Sequence, residues 1–192
     1  STLIDFFDVQ KFLLEPGEYT VELKLNDLHA PVNPSAELKQ TFILDFSDQV
    51  IEYSDIVLVA SAEKAFAPGP LTKSGMDIVP FISDYYSTQM QSLQFYAEIY
   101  NTSKFLNDDM FRLNTFISER FSTDPIEGWV KMNRKSSADV IPVMQTFNIK
   151  ELATGLYTLH LEIRNKKNEV LTSKTLNFQR NNFIQDATTE PV

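Results

Sequence analysis

The chain has 192 residues, of which 43% are hydrophobic and 22% are charged, and this composition is typical of a globular protein with a sizeable core. It has no cysteine and only two histidines, which excludes disulfides, thiol nucleophiles and metal or redox sites built on cysteine. The formal net charge is −9, so we expect no nucleic-acid partner, because such binding depends on clustered Lys and Arg side chains. No apolar run approaches the roughly 18–20 residues of a membrane-spanning helix, and we expect no transmembrane segment.

Alternation of apolar and polar residues dominates the chain and predicts an all-β fold. After a first alternating segment at residues 17–25, eight more follow between residues 54 and 180, each short and rich in β-branched and aromatic residues. Eight strands of this kind predict an antiparallel β-sandwich, and residues 83–91 have room for one or two helical turns. The eight segments are residues 54–62, 76–82, 93–100, 110–118, 128–132, 140–147, 155–165 and 170–178.

Residues 17–25 and 155–163 are two copies of one pattern. Each begins with Gly-x-Tyr and continues with alternating apolar residues, and residues 39–42 match residues 173–176 after an adjustment in the hairpin loop between them. We expect the glycine to permit a tight turn into the strand. The tyrosine ring would join the apolar face while its hydroxyl reaches the main chain, as in the tyrosine corner of immunoglobulin-like sandwiches.

The repeat predicts two units in series, because many strands precede its second copy and almost none precede its first. We therefore predict tandem immunoglobulin- or fibronectin-like antiparallel β-sandwiches, the first one incomplete. Residues 1–53 would form the C-terminal part of the first sandwich, residues 54–180 the complete second one, and residues 181–192 a flexible tail or connection, with a linker within residues 48–55. The chain would then be a fragment, or its first strands would complete a sheet with another molecule, since so few strands have open edges that invite a partner.

Residues for common catalytic chemistry are scarce. His29 lies in a Pro-rich hairpin loop and His160 on the outward face of a strand, and we expect both to be solvated. No glycine-rich phosphate loop occurs, and the best acidic groupings, residues 107–109 and the pair Asp124 and Glu127, are typical of turns. We therefore predict no catalytic residue, no metal ligand and no cofactor.

Aromatic residues provide the candidates for an interaction surface. Tyr85 and Tyr86 adjoin each other, and Tyr96 and Tyr100 lie on the polar face of their strand. Because tyrosine is enriched at protein interfaces, these four indicate either a contact surface or a second layer of packing. Trp129, the only tryptophan, is either a partly buried strand residue or a platform for stacking a sugar.

Several segments resemble those of envelope proteins from Bacteroidetes-type bacteria, which are built of tandem immunoglobulin-like modules and include the GWxTD-domain proteins. The resemblance spans roughly residues 7–180, but Gly128-Trp129 is followed by Val-Lys-Met, so the Thr-Asp of the signature is missing and no catalytic residue is carried over. It implies an exported protein in a surface or outer-membrane assembly. The matching segments are Ser54-Asp55-Ile56, Lys73-Ser74-Gly75, residues 95–101, Gly155-x-Tyr157 and Phe178-Gln179-Arg180.

Together these observations predict a non-enzymatic structural or interaction module of the bacterial cell envelope, located in the periplasm or at the cell surface. It would be an accessory subunit or a docking scaffold with protein partners. The alternative is a carbohydrate-binding module that uses Trp129 or the surface tyrosines. A third hypothesis, an enzyme built on two carboxylates, requires buried carboxyl groups with raised pKa values that share a cleft.

Overall fold

The computed structural model describes residues 9–27, 29, 35–107 and 110–183. The chain divides into two compact units, Ser1–Ser47 and Asp48–Val192. The division lies at the start of the predicted linker, because the residues that follow Ser47 form hydrogen bonds within the second unit: the Asn101 side chain donates to the carbonyl of Val50, and Lys104 donates to that of Asp48. Most of the predicted tail and of the hairpin loop 27–36 lies outside the described residues.

The first unit is an antiparallel hairpin of two ten-residue strands, β1 (Gly17–Asn26) and β2 (Ser35–Leu44). Side chains of paired residues project to the same side of such a hairpin, and successive pairs alternate between its two faces. One face carries two ion pairs, Lys39–Glu22 at 2.6 Å and Lys24–Glu37 at 3.1 Å. The other face is apolar and consists of Gly17, Tyr19, Val21, Leu23 and Leu25 of β1 opposite Leu44, Phe42, Gln40, Leu38 and Ala36 of β2.

The second unit is almost entirely β-structure, and all eight strands predicted between residues 54 and 180 are confirmed. Residues 83–91 form a two-residue strand and a turn instead of the expected helical turns. A short helix that the sequence pattern did not predict precedes the strand of residues 110–119. The elements of the second unit are β3 (Glu52–Tyr53), β4 (Val57–Lys64), β5 (Thr72–Lys73), β6 (Met76–Pro80), β7 (Tyr85–Tyr86), β8 (Ser92–Tyr100), α1 (Thr102–Leu106), β9 (Met110–Glu119), β10 (Val130–Ser136), β11 (Val140–Asn148), β12 (Gly155–Arg164) and β13 (Val170–Arg180).

Two sheets enclose the core of this unit. One has the strand order β10-β9-β12-β13-β7, and the other has the order β11-β8-β4-β6-β5 with β3 also paired to β8. All pairings are antiparallel except that of β13 with β7. Alternate residues of both sheets meet in one cluster of buried side chains, and those with no exposed surface include Leu93, Phe95, Ile99, Leu113, Ile117, Leu159, Leu161 and Ile163. The second unit is therefore sandwich-like, with one continuous apolar core.

Both copies of the Gly-x-Tyr pattern form the same corner. The Tyr19 hydroxyl donates to the Glu15 carbonyl at 2.8 Å, and the Tyr157 hydroxyl donates to the Ala153 carbonyl at 3.0 Å, four residues upstream in each case. Each ring stacks at an interplanar angle of 28° on the phenylalanine paired with it, Phe42 in the first unit and Phe178 in the second. The hairpin β1–β2 is therefore the geometric counterpart of the hairpin β12–β13.

Gly155, the glycine of the second copy, serves a purpose other than the expected tight turn. Positive φ angles among the described glycines occur at Gly75 and Gly128, not at Gly17 or Gly155. A Cβ atom built on Gly155 would lie 3.0 Å from the hydroxyl oxygen and 3.1 Å from the ring of Tyr157, which is tighter than ordinary van der Waals contact. Gly155 is needed because the tyrosine ring folds back over it.

Replacing Tyr157 by Phe tests the corner. We expect Tyr157→Phe to lower the free energy of unfolding of the second unit by about 1–2 kcal/mol, because the ring keeps its packing while the half-buried Ala153 carbonyl loses its donor. Urea unfolding followed by the fluorescence of Trp129 measures this. Tyr19→Phe is the matched control in the first unit and should leave that transition unchanged; an equal effect of both variants would contradict the assignment.

Candidate functional site

Tyr86, one of the predicted contact residues, belongs to the core. Only 2% of it is exposed, and its ring packs against those of Phe81 and Phe178 at centroid distances of 5.1 Å and 5.8 Å. Its neighbour Tyr85 projects to the other side of β7 and is 43% exposed. The two adjacent tyrosines therefore do not form a single surface.

Tyr96 and Tyr100 are brought together by one carboxylate. The Tyr96 hydroxyl donates to Oε1 of Glu98 and the Tyr100 hydroxyl to Oε2, both at 2.5 Å, and Ser74 lies 3.0 Å from the Tyr96 hydroxyl. Tyr96 is only 2% exposed and packs with Val59 in a second, smaller apolar cluster. Of the two interpretations of the polar face of β8, a second layer of packing is the one that the structure shows for Tyr96.

The pKa values in this cluster follow from its hydrogen bonds. Burial alone would raise the pKa of Glu98, but the hydrogen bonds from Tyr100 and Tyr96 and the charge of Lys73 outweigh it and lower the pKa. Burial, together with the hydrogen bond to Glu98, raises the pKa of Tyr96 to about 12. The pKa of Asp48 is likewise lowered, by hydrogen bonds from Gln49 and Lys104. Both carboxyl groups are therefore held in the charged form, which is the opposite of what a general acid requires.

Trp129 is half-buried at the margin of the main core. Its ring packs against the core cluster, and its Nε1–H donates to the carbonyl of Asn148 at 2.8 Å. The main-chain oxygen of Trp129 accepts a hydrogen bond from the amide of Ile117, so the residue is tied to β9 on one side and to the end of β11 on the other. Only part of the indole remains accessible for a ligand.

His160, expected to be solvated, is buried, and that expectation is wrong. It is 8% exposed, its ring stacks on Phe116 at a centroid distance of 4.4 Å, and its Nε2 lies 2.8 Å from the hydroxyl of Ser118. Ser118 has no exposed surface, and its hydroxyl donates to the carbonyls of Glu119 and Ser122. A substrate cannot reach this Ser–His pair, so its arrangement is structural.

The buried imidazole gives the second unit a pH-dependent stability. Burial lowers the pKa of His160 from its ordinary value of 6.5 and outweighs the opposing effects of the Glu162 charge and the Ser122 main chain. Below pH 6.5 the unfolded chain binds a proton that the folded chain does not, so the free energy of unfolding should fall as the pH is lowered from 6.5. Unfolding by urea at a series of pH values should show this slope in the native protein and a smaller one in His160→Gln; identical slopes would contradict it.

The other predicted candidates for metal binding lie in turns or outside the described residues. They contain no group of three or more His, Asp or Glu side chains arranged to hold a metal ion. The main-chain amide of His29 donates to Oδ1 of Asp27 in the hairpin loop. Of the acidic turn 107–109, only Asn107 is described, with φ at +47° after α1. No helix in the described ranges is both long and apolar enough to cross a membrane.

The apolar face of the hairpin β1–β2 is the most unusual surface of the molecule. Val21 is 48% exposed, Leu23 46%, and Leu25 and Leu38 57% each. Their counterparts on β12 are Leu159, Leu161 and Ile163, which have no exposed surface. The two hairpins share the corner, the register near it and the alternation of apolar residues, but among the described residues only the apolar face of the second is covered.

The chain was compared with known protein families and curated proteins. No protein-family model matches the chain, and no curated protein matches it at a significant level.

Proposed function

We propose that this chain is a non-enzymatic structural and interaction module, an accessory subunit or docking scaffold in a surface or outer-membrane assembly of a bacterial cell envelope. One observation carries the proposal: the hairpin β1–β2 repeats the corner of β12–β13, yet its apolar face is exposed. A hairpin with one ion-paired face and one apolar face has the side chains of a strand pair in a β-sandwich. Among the described residues, no second sheet packs over its apolar face. Two strands alone are marginally stable in water, so such a face is suited to a partner.

The tandem arrangement supports the scaffold role. In this proposal the first unit is the last part of an immunoglobulin- or fibronectin-like sandwich, and the second unit is a complete sandwich. The full burial of an apolar side chain such as Leu23 contributes roughly 1.5–3 kcal/mol, and the exposed residues of β1 and β2 retain about half of that surface for a contact. This apolar surface of β1 and β2 is therefore available for contact with a partner.

Two further observations support an interaction role rather than catalysis. The buried Ser118–His160 pair is inaccessible, and the carboxyl groups of Asp48 and Glu98 have lowered pKa values. A location in the periplasm or at the cell surface is supported by the resemblance to Bacteroidetes-type envelope proteins with tandem modules.

Site-specific photo-crosslinking tests the proposal. A photoreactive phenylalanine analogue placed at Leu23 of the full chain, in the source cells, should yield a discrete adduct with one envelope protein, identified by mass spectrometry. The same analogue at Thr20, on the ion-paired face, is the control and should yield none. Recovery of only free monomer from the Leu23 position, or equal adducts from both positions, would refute the proposed function.

A carbohydrate-binding role is the second candidate, favoured by an open groove of about 650 Å³ at the edge strands β10 and β11. A glycan array of the full chain tests it, with Trp129→Phe as a variant that keeps the core packing and Asn133→Ala as one that alters the groove. Absence of binding to any glycan would exclude this role. The groove is lined by Gln94, Lys131, Met132, Asn133, Met144, Gln145 and Thr146.

A further inference from the structure

The second unit shows what covers a hairpin of this type. β9 pairs with the outer edge of β12 in antiparallel register, with Glu119 opposite Tyr157, Thr115 opposite Leu161 and Leu113 opposite Ile163. Alternate side chains of β9, among them Leu113 and Ile117, join the core that buries the apolar face of β12. Cover therefore has two components, a strand at the edge and apolar side chains across the face.

Neither component is present among the described residues of the first unit. Among the described residues β1 pairs only with β2, so the edge that corresponds to the β9-bound edge of β12 carries no strand. The residues that correspond to the buried Leu159, Leu161 and Ile163 are Val21, Leu23 and Leu25, all about half exposed. The missing cover is thus a strand along β1 together with an apolar sheet over its face.

We propose that the occupant of this surface is a partner protein with an incomplete β-sandwich, which lacks its last hairpin and receives β1–β2 in that position. This inference rests on the proposed function and specifies the partner. The partner strand runs antiparallel to β1, with apolar residues opposite Leu23 and Leu25 or adjacent to them. The first unit, residues 1–47, contains eight acidic and three basic side chains, so the rim of the partner carries Lys and Arg.

A second copy of the chain does not meet these requirements. Both edges of its β9 are already occupied, one by β10 and the other by β12. Packing two β1–β2 hairpins face to face would cover only two strands of ten residues, a footprint of about 34 Å by 10 Å on each partner. That is less than half of the roughly 800 Å² per partner of a stable interface. A second copy also has free edges at β10 and β11, but the apolar faces of both sheets are already packed in its own core, so a body with a free strand edge and an open apolar face is required.

A peptide with the sequence of β9, residues 110–119 (MFRLNTFISE), is a direct probe of the edge. The fluorescently labelled peptide should bind the full chain, and hydrogen exchange of the complex should show slowed amides in β1. Leu23→Lys, which places a charge on the apolar face, should weaken binding at least tenfold. Thr20→Lys, the matched change on the opposite face of the same strand, should weaken it less than threefold, and a peptide with Leu113→Ser and Ile117→Ser should not bind.

The outcomes separate this inference from the proposed function. Unchanged exchange in β1 at millimolar peptide, protection confined to the second unit, or equal effects of the two lysine variants would each overturn the strand-addition mode. Protection of β1 that grows with protein concentration in the absence of peptide would also overturn it and identify a second copy as the occupant. If the peptide fails while the Leu23 photo-crosslink persists, the interaction function stands and the proposed partner structure is wrong.

Discussion

Leu161→Ala is expected to lower the free energy of unfolding of the second unit by about 2–5 kcal/mol. Leu161 has no exposed surface and lies in the centre of the core cluster, so truncation removes buried methyl groups and leaves a cavity between two sheets. Leu23, its counterpart in the first unit, is 46% exposed, so truncation there creates no enclosed cavity. Leu23→Ala should therefore have an effect below about 1 kcal/mol on its own unit and none on the second.

The single tryptophan makes this comparison practical. Trp129 packs against the core of the second unit, so its fluorescence during urea unfolding reports on that unit. The transition of Leu161→Ala should move to a lower urea concentration, and that of Leu23→Ala should coincide with the native one. A shift of equal size in both variants would show that the apolar face of β1–β2 contributes to the second unit, and the contrast drawn here between a covered and an uncovered hairpin would fail.

Arg180→Met is expected to cost the second unit about 3 kcal/mol. Arg180 is 2% exposed, and its guanidinium donates to the main-chain carbonyls of Ser87, Met90 (2.7 Å) and Leu152 (3.4 Å). Methionine of similar length fills the space but donates nothing, so one buried and two partly buried oxygens lose a charged donor. The contacts join the end of β13 to the turn before β8, and their loss should also release the short parallel pairing of β7 with β13.

The same unfolding measurement decides this prediction. Lys174→Met is the control, because the Lys174–Asp55 ion pair involves an Asp that is 92% exposed and such surface pairs contribute about 0–1 kcal/mol. Arg180→Lys should recover part of the loss, since an ammonium group still donates hydrogen bonds. If Arg180→Met were no more destabilising than Lys174→Met, the three carbonyl contacts would not be stabilising the unit.

The strands were predictable from sequence because alternation sets which residues share a face, and the eight strands of the second unit follow it. Alternation does not say whether the polar face is covered. His160 and Tyr96 both occupy polar faces by pattern, yet each is buried, one beside Phe116 and Ser118 and the other under the Ser74 turn. These contacts join residues distant in the chain, and no local pattern encodes them.

The repeat was also visible in the sequence, but β2 was aligned with β13 in the wrong register. The predicted alignment set Phe42 against Leu176, whereas the structure pairs Tyr19 with Phe42 and Tyr157 with Phe178. A shift of two residues keeps every side chain on its face, so the hydrophobic pattern cannot detect it. The two hairpins differ in loop length, and β12–β13 contains an irregularity at Ile163, both of which alter the register.

The hydrogen bonds from Arg180 to the turn before β8 affect which positions of the sequence can change. The Arg180 guanidinium donates to main-chain carbonyl oxygens, which every amino acid has. The side chains at positions 87 and 90 therefore take no part in these hydrogen bonds. Mutations can accumulate there and give this end of the domain new surface properties while the path of the chain stays the same. Arg180 itself cannot be replaced in this way. In natural variants we expect substitutions in the turn and an unchanged arginine at position 180.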